Sequence, residues 1–336
     1  MKILKCSEKI TLDTFKNKKK SPAGISKKLI LCALKNNIAV YRIFSKKNLY
    51  IFKRGNKIIW LNKTMTSKTN PVGMAIARNK HTAKDFLSKL GYPVAPSKTI
   101  SKLEELDSAI KSLGFPVVVK PIGAAEGKGI TINVTTKKLL INSFRIAKKT
   151  DNKVIVEKHI SGDYYRITYI ADGSYAATKN LPAYVSGDGK RTVRELINWE
   201  NKYNKERRKK ARLKKIKISE KTERFLASEG YNLNSIIPKN KKIPLCFSGF
   251  DGGEYIDVTE SVHPYFINMS KEISENLKLP IIGIDIISKD ITKPLTENDG
   301  IVVEINGSFP DIQFHSSPTR GKSRDLHKNL INYLFS

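Results

Sequence analysis

The sequence predicts an α+β fold of more than one lobe, and three observations carry the prediction. At 336 residues the chain exceeds the roughly 100 to 200 residues of an ordinary domain. Segments of helical period are interleaved with short β-rich runs that end in glycine turns. Hydrophobic residues make up 40% and charged residues 28%, enough for a sizeable core and too ordered a pattern for wholesale disorder. The expected organisation is a basic arm at 1–22, an N-terminal α/β lobe at 23–113, a central lobe at 114–178 and a C-terminal lobe at 179–336 with a basic insertion at 202–217.

Residues 1–22 end in KNKKKSP and read as a loosely docked arm. In ISKKLILCALKNNIAVYRIF, Ile25, Leu29, Ile30, Ala33 and Leu34 share a helical face before IAVYRIF turns β-rich. Short strands in NLYIFKRGNKIIWL turn at Arg54-Gly55-Asn56, and a helix from Asn79 to Leu90 stops at Gly91. SKLEELDSAIKSLG predicts a helix with Ser101 and Glu104 as its capping box and Gly114 at its end. FPVVVKPIGAAEGKGITINV gives two strands around a loop, followed by a helix near 136–149 and the strand KVIVEKHI. YYRITYIADGSYAAT is a hairpin turning at Asp172-Gly173. Beyond the basic insertion come a glycine-rich turn at 249–253, a helix from Pro264, and the strands LPIIGIDII and GIVVEIN. No repeat of 20–50 residues is present.

Lys plus Arg number 62 against 31 Asp plus Glu, a net charge of +31. Lysine supplies 49 of the cations, and the accompanying Asn and Ile are what AT-biased codons produce without selection for a partner. The insertion KYNKERRKKARLKKIK holds ten basic residues and one acid; as a helix it would carry cations all round its axis and face solvent or a polyanion, such as an acidic peptide. Only Trp199 and Tyr203 offer aromatic surface there, which argues against reading of nucleic-acid bases. Cys6, Cys32 and Cys246 are far apart and odd in number, so neither a disulfide framework nor a zinc site is expected. The start MKILKCSEKI has no hydrophobic leader segment, and no apolar run approaches the roughly 18 residues that span a bilayer. A cytoplasmic protein is expected, with no membrane partner.

Lys120 closes an apolar strand beside GAAEGKGI, where Gly127 and Gly129 let backbone N–H groups approach phosphate oxygens. The following ITINV is strand-like, so the loop is not a Walker A motif, and a plain surface hairpin is the alternative. Asp285, Glu304 and Asn306 interrupt runs that should be buried. Glu304 and Asn306 point to one face, and an antiparallel neighbour could bring Asp285 beside them as a set of hard oxygen ligands for Mg²⁺. The alternative is an ion pair with one of the many cations. Glu157 and His159 lead into a connector whose backbone could meet an adenine edge, or are ordinary exposed strand residues. His81, His263 and His315 show no metal-ligand spacing, and no G-x-S-x-G elbow or Cys–His signature for covalent catalysis occurs.

Eight ordered strings carry a resemblance: ARNKHTAKDFLSKLGYPVAPS, GFPVVVKPIGAAEGKGI, VEKHISG, LPAYVSGDGKRTVRELI, GGEYIDVTESVHP, IIGIDII, VVEINGS and HSSPTRGKSR. From about Ile25 onward the chain resembles the ATP-grasp superfamily, and the resemblance is close to the ATP-grasp module of cyanophycin synthetases and of bifunctional glutathione synthetases. That implies an ATP-grasp fold, with a nucleotide cleft between two lobes carrying antiparallel sheets. It also implies that Lys80 and Lys120 contact ATP phosphates, under a loop holding Glu126, Gly127, Lys128 and Gly129. Glu157, Lys158, His159 and Ile160 would form the adenine connector with Asp163 beside the nucleotide, and Lys120, Lys128 and Arg166 would serve catalysis. Asp285, Glu304 and Asn306 would hold two Mg²⁺ ions, Mn²⁺ being an alternative.

The implied activity is ATP-dependent, ADP-forming ligation of a carboxylate to an amine through an acyl phosphate. Its substrates would be amino acids or peptides, and a homo-oligomer is compatible with it. The chain departs from the family pattern on the acceptor side. The acid of G-x-[DE]-Y-R is shifted to Asp163, Asn180 beside Lys179 replaces an Arg, Asp251-Gly252-Gly253 remain of a longer string, and Ser308-Phe309-Pro310 carries an extra residue. A nucleotide-dependent binding protein for a polyanion is the competing reading.

Overall fold

The computed structural model describes residues 2–15, 22, 24, 26–44, 48–123, 129–203, 213–246 and 252–336. Its N-terminal part is a five-stranded sheet of β1 (Glu8–Ile10), β2 (Ala39–Arg42), β3 (Leu49–Arg54), β4 (Lys57–Asn62) and β5 (Met65–Thr66), in chain order and antiparallel throughout. The expected α/β lobe is therefore built on antiparallel strands: β2 to β5 follow one another through short connections such as the turn Gly55-Asn56, and the helix Ser26–Lys35 between β1 and β2 returns the chain antiparallel. The expected loose arm is corrected at residues 8–10, where β1 pairs with β2, Ile10 is buried and Glu8 meets Arg42 at 3.2 Å. The helix Ser26–Lys35 buries Leu29, Ile30 and Ala33 on this sheet, as its period predicts. The C-terminal helix Leu326–Phe335 covers the same core, so the chain ends where it began.

A four-stranded antiparallel sheet follows: β6 (Ser97–Ile100), β7 (Val117–Pro121), β8 (Thr131–Val134) and β9 (Val154–Lys158), ordered β6-β9-β7-β8. Helices Leu106–Leu113 and Lys137–Lys148 cover its apolar side. The expected cap falls one position later and on the 3-10 turn Leu103–Glu105 that leads into the first helix, where Glu105 accepts from Lys102 N at 2.8 Å and Ser101 N at 3.3 Å.

After the hairpin β10 (Asp163–Ile170) and β11 (Tyr175–Leu181), the chain makes a small excursion of β12 (Tyr184–Ser186), helix Val193–Tyr203, helix Glu220–Ser228 and β13 (Lys242–Pro244). The basic insertion is not one long helix. The helix ends at Tyr203, residues 204–212 lie outside the described residues, and 213–219 are irregular. Ile216 is buried in a small core, held by Asn201, whose side chain donates to Ile216 O at 2.8 Å and accepts from Ile216 N at 3.0 Å.

The chain returns as β14 (Glu254–Asp257), the helix Pro264–Leu277, β15 (Ile281–Ser288) and β16 (Ile301–Asn306). These complete a five-stranded antiparallel sheet ordered β14-β11-β10-β15-β16. One face presents Tyr165, Ile167, Tyr169, Ile282, Ile284 and Ile286 to the helix Pro264–Leu277. Complete burial of such side chains stabilises by roughly 1.5–3 kcal/mol each. Strand alternation therefore directs Arg166, Thr168 and Asp285 to the opposite face. No described helix is long and apolar enough to cross a membrane.

Candidate functional site

The register of the five-stranded sheet sets a polar row across it: Asp257, Thr178, Arg166, Asp285 and Glu304 stand directly opposite one another on successive strands. Beside Glu304 the β15–β16 register shifts, so Asp285 opposes Glu304 while Ile286 opposes Val302. Such a bulge re-aims side chains at sheet edges and sites. Asp285, fully buried, receives Arg166 Nη2 at 2.7 Å, Arg166 Nε on its other oxygen, and Asn306 Nδ2 at 3.0 Å. Asn306 Nδ2 also reaches Glu304 Oε1 at 3.3 Å. Gly283 makes room for this group, since a Cβ there would stand 3.0 Å from Arg166 Nη1 and 3.4 Å from Asn306 Cβ.

The sequence expectation that Asp285 joins Glu304 and Asn306 holds in the structure, and the alternative of an ion pair holds too, with Arg166 as the cation. The arginine does not neutralise both carboxylates. Burial, together with the charge of Asp285, pushes the Glu304 carboxyl above its ordinary range. Among the described residues no group of three or more His, Cys, Asp or Glu side chains is arranged to hold a metal ion. A cation at this place would be held by two carboxylates and the amide oxygen of Asn306, all hard donors of the kind Mg²⁺ takes. Two carboxylates against one guanidinium keep a net negative charge, which fits such an ion.

A second charged group lies on the four-stranded sheet. Glu157 of β9, buried, accepts from Lys84 Nζ at 2.5 Å and Lys120 Nζ at 2.7 Å. Burial acts to raise its carboxyl, but the two ammonium groups outweigh it and hold it below the usual range. Lys84 also donates to Ala95 O at 3.1 Å. Lys80 opens the helix Lys80–Lys89, capped by Asn79, which accepts from His81 N at 3.0 Å and Thr82 N at 3.1 Å. Burial draws the Lys80 ammonium below its ordinary value, while Glu304, Lys120 and Glu157 all act on it electrostatically. Lys80 thus feels the charges of both groups.

The connector between the two sheets is residues 159–162. Lys158 N donates to Pro96 O at 2.9 Å, His159 N to Pro116 O at 3.1 Å, and Lys158 Nζ to Phe115 O at 3.2 Å. Gly162 admits close passage by β15, where a Cβ would lie 2.9 Å from the Ser288 carbonyl carbon. Gly129 has a positive φ of 70° at the rear of the glycine loop, and a Cβ there would meet Thr150 Oγ1 at 3.0 Å. Glu126, Gly127 and Lys128 lie outside the described residues.

Asp163 is not brought to the cluster. It is three residues from Arg166, so strand alternation turns it to the other face, where Lys179 Nζ meets it at 2.5 Å. Tyr164 takes the place on the site face, hydrogen-bonds Asp285, and has its hydroxyl pushed well above its ordinary value by burial and by Asp285 and Glu304. Asn180, buried, accepts from Thr178 Oγ1 at 3.0 Å.

Sequence reasoning missed Lys84; its signal was the like-charged i, i+4 pair with Lys80, unfavourable unless a common anion faces it. It also missed Asp257, which Arg324 Nη2 meets at 2.7 Å, and the buried His315, whose Nε2 lies 2.8 Å from Thr168 Oγ1. The loop bearing both partners closes over the polar face, with Phe314 stacked on Tyr255 at 5.2 Å. Cavities of about 270 and 490 Å³ open to one side, by Tyr184, Lys242 and Glu254, rather than on the clusters themselves.

Residues 78–191 match the family described as phosphoribosylglycinamide synthetase, ATP-grasp (A) domain. A cyanophycin synthetase of Synechocystis sp. is 32% identical over 281 residues, which cover 82% of this chain and 32% of that protein. A glutathione biosynthesis bifunctional protein of Clostridium perfringens is 27% identical over 97% of this chain and 43% of its own length. The chain thus spans about a third of the cyanophycin synthetase it matches. The crystal structure of a bifunctional glutathione synthetase from Pasteurella multocida superposes with a TM-score of 0.63 at 28% identity, covering 93% of this chain and 44% of that one. The matched segment runs from Arg78 through the lysine-bearing helix Lys80–Lys89, the connector and the β10–β11 hairpin, so this part of the chain matches an ATP-grasp domain and the chain has the ATP-grasp fold.

Proposed function

We propose that this chain is an ATP-dependent carboxylate–amine ligase that forms an amide bond on an amino acid or peptide through an acyl phosphate. The observation that carries the reading is the placement of Lys80 within electrostatic reach of both the Lys120–Glu157 group and Glu304. A triphosphate needs cations along its length and hard oxygen donors for its divalent ion at one end. The relatives named above supply the reaction class.

In the proposed reaction a substrate carboxylate oxygen attacks the γ-phosphorus and the bond to ADP breaks. An amine nitrogen then attacks the acyl carbon, phosphate leaves, and the amine's extra proton passes to solvent. Lys80 and Lys120 bind and orient the phosphates, and Arg166 fixes Asp285 in its rotamer. The Mg²⁺ ions that Asp285, Glu304 and Asn306 would hold offset charge on the transferring phosphoryl group when bound. His159 and Ile160 supply backbone to the adenine edge.

The test is ADP release by the purified chain with ATP and Mg²⁺ against a panel of amino acids and dipeptides. Release that needs both a carboxylate and an amine, and that disappears in Glu304→Gln, supports the reading. Nucleotide binding with no release across the panel favours the binding-protein alternative.

A further inference from the structure

Glu157 is one buried carboxylate serving two buried ammonium groups, with Lys84, Lys120 and Glu157 all no more than 6% exposed. A buried carboxylate and one lysine would already be neutral. The second lysine leaves the trio with a net charge of about +1, and an excess buried charge is costly unless an anion faces it. The two lysines differ in what they have left to give. An ammonium carries three N–H donors. Lys84 spends two, on Glu157 and on Ala95 O, while among the described residues Lys120 makes one hydrogen bond, to Glu157. Lys84 is also tied to the scaffold at both ends: it rises from the helix Lys80–Lys89, and Ala95 leads into β6, where Ser97 pairs with Glu157 itself.

We propose that Lys84 is a positioning residue that engages Glu157 so that the charge and free donors of Lys120 remain available to an anionic phosphate ligand. This rests on the nucleotide reading of the site and assigns a role to a residue that would not touch the nucleotide. Without Lys84, Glu157 would close on Lys120 as a neutral pair and the phosphate would lose its cation. If Glu157 were then also made neutral, Lys120 would again be free. A role in packing alone predicts no such recovery.

The experiment is a calorimetric titration of the full chain with ADP and, separately, with inorganic tripolyphosphate, which has no adenine to feel changes at the connector. Wild type, Lys84→Met, Lys84→Arg, Glu157→Gln and the Lys84→Met/Glu157→Gln double variant are compared, with thermal unfolding confirming that each is folded. Lys84→Met is expected to weaken tripolyphosphate binding about tenfold or more, the effect of removing one nearby charge. Lys84→Arg should stay within a few-fold of wild type, and the double variant should bind at least about fivefold tighter than Lys84→Met. Equal binding by wild type and Lys84→Met, or a double variant no better than that single variant, overturns the inference and leaves the nucleotide site standing. A wild type that binds neither probe overturns both.

Discussion

Arg166 and Asp285 face each other directly across β10 and β15, and the guanidinium donates from Nε and Nη2 to both carboxylate oxygens. Both residues are buried, and the strands on either side of them hold apolar cores. Removing one partner of such a pair leaves the other charged in the interior at a cost of about 3–5 kcal/mol. Arg166→Met should therefore lower the free energy of urea unfolding by that amount. The Arg166→Met/Asp285→Leu double variant should recover most of the loss, since neither member of the pair is left without its partner and the like charge of Asp285 is gone from beside Glu304. A double variant as unstable as the single one would show that packing around the arginine matters more than its charge.

Glu304 pulls in the opposite direction. Its carboxyl is raised by burial and by Asp285, so the ionised form is disfavoured in the fold and costs stability once the pH exceeds the ordinary carboxylate range. Glu304→Gln keeps the shape and removes the charge. It should raise the thermal midpoint at pH 7 while abolishing Mg²⁺-dependent ADP release, a gain in stability at the expense of function. Retained turnover in the variant would remove Glu304 from the metal set.

The alternation of buried and polar residues made much of this legible in the sequence. An acid in the middle of IIGIDII has to be neutralised, and a neighbouring strand ending in Glu-x-Asn is the element able to share its face. What the sequence could not disclose is which cation answers it, because thirteen arginines and forty-nine lysines were eligible and only the β10–β15 register selects Arg166. Lys84 was hidden for another reason: a lysine on an amphipathic helix is usually solvated, and Glu157, seventy-three residues later, is the partner that buries it. Ile216 was obscured by its ten basic neighbours in 202–217, a composition that hides a single apolar anchor.

Lys80 owes its place to a close helix crossing. The helix Pro71–Arg78 lies against the helix Pro264–Leu277 at Gly73, where an added Cβ would fall 1.9 Å from the backbone oxygen of Leu277. Backbone cannot yield as a flexible side chain does, so Gly73→Ala has to push the helices apart. The expected cost is about 3 kcal/mol, the upper end of ordinary overpacking. The displaced helix leads through Asn79 into Lys80, so nucleotide affinity in the folded fraction should fall as well. Unchanged denaturant midpoint and affinity in Gly73→Ala would contradict this crossing.

His315 and His327 give the protein a sensitivity to mild acid. Burial lowers His315 to about 3, with Arg166 and His327 adding to the effect and Asp257 opposing it. Burial lowers His327 to about 4, with Lys28 adding and Asp325 opposing. His315 Nδ1 and His327 Nε2 are buried without a hydrogen-bond partner among the described residues, so neither ring has an acceptor waiting for a second proton. In the unfolded chain both would titrate near 6.5. The unfolded state therefore takes up protons first as the pH falls, and stability that is fully present above about 6.5 drains away below it. At one unit below, each histidine should cost roughly 1.4 kcal/mol. The carboxylates held low by their partners, Asp257 and Glu157, begin to lose stability only nearer pH 4, their unperturbed range. Above that range the raised Glu304 opposes the buried rings and His159, lowered by burial and by Lys158, adds to them, so the histidines are compared by difference in the Glu304→Gln background. Chemical denaturation between pH 6.5 and 5 should give a slope smaller by close to one proton when His327→Asn is added to that background. A Glu304→Gln profile that is flat from pH 7 to pH 5 would mean that both rings are already charged in the fold or are reached by water.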